Sequence, residues 1–103
     1  MRYDVVVAPE AAKAYRSLPA YQRAEVRGAL ERYLRHQPTR VSKSRIKRLR
    51  GLRQPQYRLR VGELRVFYDV TSEAVAVLAI ITKAEAARWL AGHGTPDAPG
   101  GAG

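Results

Sequence analysis

Cysteine is absent from the sequence, which excludes a disulfide framework, a zinc finger and any thiolate site. Carboxylates are scarce, and Glu63, Asp69, Glu73 and Glu85 show no metal-ligand spacing. No P-loop or dinucleotide fingerprint is present, so neither a metal nor a cofactor is expected. No apolar run approaches the roughly 18 residues of a membrane span, and the N-terminus lacks the apolar stretch of a signal peptide. The chain therefore reads as cytoplasmic, with no membrane partner. Its 103 residues suffice for a single core. Residues 1–91 are expected to form one domain. From Gly92 to Gly103 the sequence is Gly/Pro/Ala-rich without periodicity and is expected to be disordered.

Positive charge is abundant and unevenly placed. Ten cations lie between Arg40 and Arg65 against the single carboxylate of Glu63, which accounts for all but one unit of the net +10. A charge that served only solubility would be spread along the chain. Concentrated next to a sheet, it is the electrostatic footprint of a polyanion binder. Lys43, Arg45, Lys47, Arg48, Arg50 and Arg53 are accordingly candidate nucleic-acid-binding residues. A solvated basic loop, or a surface covered by an acidic protein partner, is the competing explanation.

The elements follow from periodicity. Tyr3–Ala8 is short and β-branched, a first strand. Pro9 suits a first helical position, and helix 1 should run to Ser17, burying Ala11, Ala14, Tyr15 and Leu18. Leu18-Pro19 breaks it. Val26, Ala29, Leu30, Tyr33 and Leu34 recur at helical spacing in a second helix from about Ala20 to His36. Ser44–Leu52 is short and basic, readable as an edge strand. Ala74–Ile81 is continuously apolar, as in a central strand covered on both faces. Thr82 followed three residues later by Glu85 forms a capping box opening a short helix through Leu90. The class is α+β: an N-terminal strand, a helical hairpin, a three- to four-stranded mostly antiparallel sheet and a short C-terminal helix.

Between these elements lies the most informative stretch, Tyr57–Val70. Two alternating runs flank Gly62-Glu63, the sequence form of a β-hairpin with a type II′ turn. Counting outward sets Val61 against Leu64, Arg60 against Arg65, Leu59 against Val66, Arg58 against Phe67 and Tyr57 against Tyr68. Tyr57, Leu59, Val61, Leu64, Val66 and Tyr68 then share the core face. Arg58, Arg60, Arg65 and Phe67 share the other. Opposed like charges destabilise a sheet, and arginine cannot relieve repulsion by deprotonating. The cluster is arranged for an anion, a phosphate above all, or else splays into solvent. Phe67 either stacks a base or packs under the C-terminal helix. Removing Arg65 is expected to leave stability intact, because a like-charge neighbour disappears.

Leu49-Arg50-Gly51, Tyr57-Arg58-Leu59-Arg60, Gly62 and Leu64-Arg65-Val66-Phe67-Tyr68 together resemble the signature of the RelE/ParE superfamily of toxin–antitoxin toxins. The resemblance runs over roughly residues 2–90 and implies the small RelE-like fold. It also implies a toxin encoded beside a cognate antitoxin, which would be its protein partner. In the RelE-like branch such toxins enter the ribosomal A site and cleave messenger RNA without a metal. The ParE-like alternative is inhibition of DNA gyrase without hydrolysis, and a third is a basic binding module with no activity. The family's basic residues fall on Arg58, Arg60 and Arg65. RelE-like nucleases usually carry an arginine after the last strand and a tyrosine in the closing helix; here Lys83-Ala84-Glu85 and Trp89-Leu90 stand at those places. Lys83 completes the candidate catalytic set, as a base or as a stabilising charge.

Overall fold

A computed structural model describes residues 2–97. Strand β1 (Asp4–Val7) leads through Ala8 into α1 (Pro9–Ser17), where Pro9 occupies the first turn and Glu10 sits at the positive helix end. Leu18 leaves the helix in an extended conformation, as its position before proline requires. Helix α2 follows (Ala20–Ala29) and closes with a π-helical turn over Leu30–Leu34. The guanidinium of Arg23 donates to the Leu18 carbonyl and the Tyr15 hydroxyl donates to the Arg23 carbonyl, which pins the corner between the helices.

The remaining strands are β2 (Ile46–Arg48), β3 (Leu52–Gln54), β4 (Tyr57–Val61), β5 (Leu64–Val70) and β6 (Ala74–Thr82). Helix α3 (Lys83–His93) and the two-residue strand β7 (Thr95–Pro96) complete the described chain. The main sheet has five strands in the order β1-β6-β5-β4-β2. It is mixed, because β1 runs parallel to β6 while every other pair is antiparallel. The expected three- to four-stranded sheet is thus one strand short. The missing pairing joins the first strand to the last long one, a contact that no local pattern encodes. It places β6 inside the sheet, between β1 and β5, and Val75, Val77, Ala79 and Ile80 along it are buried.

One face of the sheet carries the core. Leu59, Val66, Tyr68, Val75 and Val77 meet Ala11 of α1 and Val26, Ala29 and Leu34 of the α2 segment. Tyr57 stacks on Tyr68 at 5.5 Å, and the buried Tyr68 hydroxyl donates to the Pro38 carbonyl at 2.6 Å. Burial, reinforced by neighbouring Tyr57, pushes the Tyr68 phenol well above its ordinary value. The register between β5 and β6 shifts between Phe67 and Tyr68, which face Ala79 and Val77 respectively. Leu78 is the extra residue of this bulge, so Val77 and Ile80 both reach the core.

The capping box forms at α3: the Thr82 hydroxyl accepts from the Glu85 N–H and donates to the Glu85 carboxylate. The helix runs to His93 instead of ending at Leu90, and Thr95–Pro96 pairs with Leu52–Gln54. Structure therefore persists past Gly92, where a disordered tail was expected to begin. The rest of that tail, 98–103, lies outside the described residues. Among the described residues no helix is long and apolar enough to cross a membrane.

Candidate functional site

The hairpin β4–β5 adopts the register that its alternation dictates, pair for pair from Tyr57↔Tyr68 to Val61↔Leu64. Gly62 has φ +56° and no non-glycine residue among the described residues has a positive φ, so within the turn the positive φ falls on the first residue alone, as a type II′ turn requires. Pairing of β2 with β4 and of β5 with β6 extends two rows across the face away from the core. Lys47, Arg58, Phe67 and Ala79 form one; Arg60, Arg65 and Ile81 form the other.

Arg58 is the centre of this face. It is half-buried, and its Nε is a buried nitrogen with no hydrogen-bond partner. Desolvation first, then the charges of Arg65 and Arg60, hold its guanidinium below the ordinary value. No carboxylate offsets these charges: the ion pairs found among the described residues join Arg2 and Arg35 to Glu31, and Arg88 to Glu85. A buried donor left unpaired costs about 1–3 kcal/mol. An anion reaching Arg58 would relieve both that cost and the repulsion around it.

Arg60 is exposed beside it, but Arg65 is not. Only 6% of Arg65 is accessible, and its Nη1 donates to the carbonyls of Gly62 and Leu64 at 3.0 and 2.9 Å. The expectation that Arg65 is dispensable for stability is therefore corrected: it ties down the hairpin turn while adding charge beneath Arg58. Phe67 is fully buried, its ring stacked on Trp89 of α3 at 5.1 Å, and Trp89 stacks in turn on His93 at 5.0 Å. This corrects the base-stacking expectation, since the Phe67 face that a nucleobase would need is occupied.

Lys83 is exposed at the first turn of α3, and its backbone N–H donates to the Glu63 carbonyl at 2.8 Å. It thus stands at the same end of the sheet as Arg60 and Arg65. The other basic residues divide. Lys47 lies directly beside Arg58. Arg48 turns to the opposite face, its guanidinium 5.2 Å from the Tyr57 ring centre and bonded to the Gln56 carbonyl at 2.7 Å. Arg45 also turns to the helix side, 5.0 Å over the Tyr33 ring. Lys43 and Arg50 are exposed in loops, and Arg53 is exposed on β3. Charge that looks contiguous in sequence is therefore split between two faces by the alternation of β2. Arg32 and Arg40 join Arg45 on the helix side. Arg40 belongs to the basic stretch counted from the sequence, but neither is a candidate site residue there, because Arg32 lies in the π-helical turn after α2 and Arg40 in the loop that follows.

No family model matches the sequence, and no curated protein matches it. Solved structures do. A chain of the RelB–RelE antitoxin–toxin complex from Methanococcus jannaschii superposes with a TM-score of 0.63 at 18% identity, over 82% of this chain and 96% of that one. The fold is RelE-like. A chain of the archaeal RelE–RelB complex from Pyrococcus horikoshii is 28% identical with a TM-score of 0.58, over 81% of this chain and 97% of that one. The YoeB dimer from Staphylococcus aureus gives a TM-score of 0.61 at 15% identity, over 79% and 97%. The RelE-like fold thus spans nearly the full length of each of these neighbouring chains and about four-fifths of this one; in this chain its hairpin carries the arginine face.

Proposed function

We propose that this RelE-like chain is the toxin of a type II toxin–antitoxin pair and that it cleaves messenger RNA in the ribosomal A site. The observation that carries the reading is Arg58, half-buried beside Arg60 and Arg65 with an unpaired Nε and no carboxylate to neutralise it. Its similarity to chains of RelE–RelB complexes supports the toxin assignment and a cognate antitoxin as partner.

In the proposed reaction the 2′-oxygen of a nucleotide attacks the adjacent phosphorus and the bond to the 5′-oxygen breaks. The products are a 2′,3′-cyclic phosphate and a free 5′-hydroxyl, with one proton leaving the 2′-oxygen and one reaching the 5′-oxygen. Arg58 and Arg60 meet the charge that accumulates on the phosphoryl oxygens, and buried Arg65 strengthens the field behind them. Arginine cannot take the proton. Lys83, at the same end of the sheet, is assigned that transfer or a further stabilising charge. Lys43, Lys47, Arg50 and Arg53 are assigned to the RNA backbone beyond the reacting phosphate, and Arg48 and Arg45, turned to the other face, are not.

A second reading, ParE-like inhibition of gyrase without hydrolysis, is favoured by one observation. α3 holds Trp89 against Phe67 and offers no tyrosine, while Tyr57 and Tyr68 belong to the core. Induced expression in bacteria with primer-extension mapping of message ends separates the two, comparing wild type with Arg58→Ala. In-frame cuts in translated messages that vanish in the variant are expected. Growth arrest with intact messages and altered plasmid supercoiling would transfer the assignment to gyrase.

A further inference from the structure

Away from the arginine face, a cavity of about 170 Å³ lies where the two N-terminal helices meet strands β1 and β6. Its wall is built by Val7, Ile80, Ala12, Tyr15 and Leu30, and Arg16 and Arg27 complete the lining. The surface turned to the cavity is almost entirely apolar, so both arginines contribute their stems and hold their guanidinium groups at its margin. No carboxylate lines it. Both arginines are exposed, and neither takes part in the ion pairs found among the described residues. Arg27 Nη2 donates to the Tyr15 hydroxyl at 3.2 Å, which uses one of the several donors of that guanidinium. The helical wall is irregular at the same place. Leu30 opens the π-helical turn, and the Arg35 N–H reaches back to the Leu30 carbonyl at 3.3 Å. Single π-helical turns are rare and recur at functional sites.

We propose that this cavity binds a small amphiphilic carboxylate, a straight-chain acid of about six to eight carbons, with its tail inside and its head between Arg16 and Arg27. Volume sets the length of the tail. A cavity of about 150 Å³ holds one benzene ring, so this one takes a similar number of carbons. The wall sets its polarity: a sugar or a nucleobase would bury polar edges against Val7, Leu30 and Ile80 with no partner for them. The margin sets the head. Two cations with no carboxylate beside them select an anion, and a guanidinium meets a planar carboxylate through two parallel bonds. Inorganic phosphate satisfies the margin and leaves the cavity empty. Ile80 belongs to the main core, so the ligand sits on the helix side of the sheet, and its binding does not depend on the nuclease reading.

The test titrates the full chain, labelled with ¹³C at its methyl groups, with sodium butanoate, octanoate and dodecanoate and with octan-1-ol. Octanoate is expected to shift the methyl signals of Val7, Leu30 and Ile80 saturably and to raise the melting temperature. Affinity should rise by about tenfold or more from butanoate to octanoate, because each added methylene is buried, and level off by dodecanoate because the cavity is full. R16Q/R27Q keeps two long polar side chains and removes their charge. It should weaken octanoate about fivefold and leave octan-1-ol within about twofold. Ala12→Leu fills the cavity from α1 and should abolish binding of both; if that variant does not fold, R16Q/R27Q and the chain-length series decide. Three results would overturn the proposal: affinity that keeps climbing to dodecanoate, octan-1-ol that binds as tightly as octanoate, or shifts centred on the Arg58 face. Absence of RNA cleavage would sink the nuclease reading and leave this one standing, since the titration involves no cleavage.

Discussion

The two faces of the main sheet are made by the same strands and held by different forces. On the helix side, Leu59, Val66, Tyr68, Val75 and Val77 are completely buried against α1 and α2. Apolar burial at about 25 cal/mol per Å² dominates there. On the other side Arg58, Arg60 and Arg65 repel one another, and the cover is α3, a helix without a single buried residue. A core concentrated on one face allows the other to carry charge that works against folding. The difference is what makes the arginine face readable as a site: it is arranged in a way that stability alone does not favour.

Substitutions can sharpen or break this contrast. The largest effect is expected from Leu59→Ala, which empties a fully buried position on the helix side and should cost about 3 kcal/mol in urea unfolding. If Leu59→Ala cost no more than Arg60→Ala, the core would not be where it is placed here. On the arginine face, Arg65→Ala should cost about 1–2 kcal/mol, because the Gly62 and Leu64 carbonyls lose their shared donor. Exposed Arg60→Ala should stay within about 0.5 kcal/mol. A stabilised Arg65→Ala would mean that repulsion outweighs the two hydrogen bonds.

A modest effect is expected from Tyr68→Phe, which removes the bond to the Pro38 carbonyl and should cost about 1 kcal/mol at neutral pH. Its pH dependence has a definite sign. Burial raises the Tyr68 phenol in the folded chain, whereas an unfolded tyrosine ionises near pH 10. Above about pH 10 the unfolded chain gives up this proton and the folded chain keeps it, so stability falls with rising pH. Thermal melts between pH 8 and 11 should show a shallower alkaline loss in Tyr68→Phe than in wild type; parallel curves would contradict the assignment.

Much of this was legible in the sequence because it is locally encoded. Alternation around Gly62 fixes the hairpin register, Leu18-Pro19 fixes the helix break, and Thr82 with Glu85 fixes the start of α3. What escaped depends on contacts between distant segments. The parallel pairing of Asp4–Val7 with β6 is one example, and the two-residue strand Thr95–Pro96, drawn into order by Leu52–Gln54, is another. At the site, the grouping of Arg58, Arg60 and Arg65 follows from alternation alone. The burial of Arg65 and Phe67 does not, because it depends on where α3 lies. The turning of Arg45 and Arg48 toward aromatic rings of the opposite face was equally hidden, since charge counts along a chain carry no side.

The central claim is that Arg58 waits for a phosphate. The most direct measurement follows the Arg58 Nε–H signal by NMR while an oligouridine, with 2′-deoxy substitution to prevent cleavage, is added at several salt concentrations. The account predicts a saturable downfield shift of that signal, an affinity that falls with salt at a log–log slope of about −0.7 per phosphate engaged, and weaker oligouridine binding in Arg58→Lys, which keeps the charge but loses the Nε–H donor. An Arg58 Nε–H that stays put while amides elsewhere on the basic surface move would contradict it.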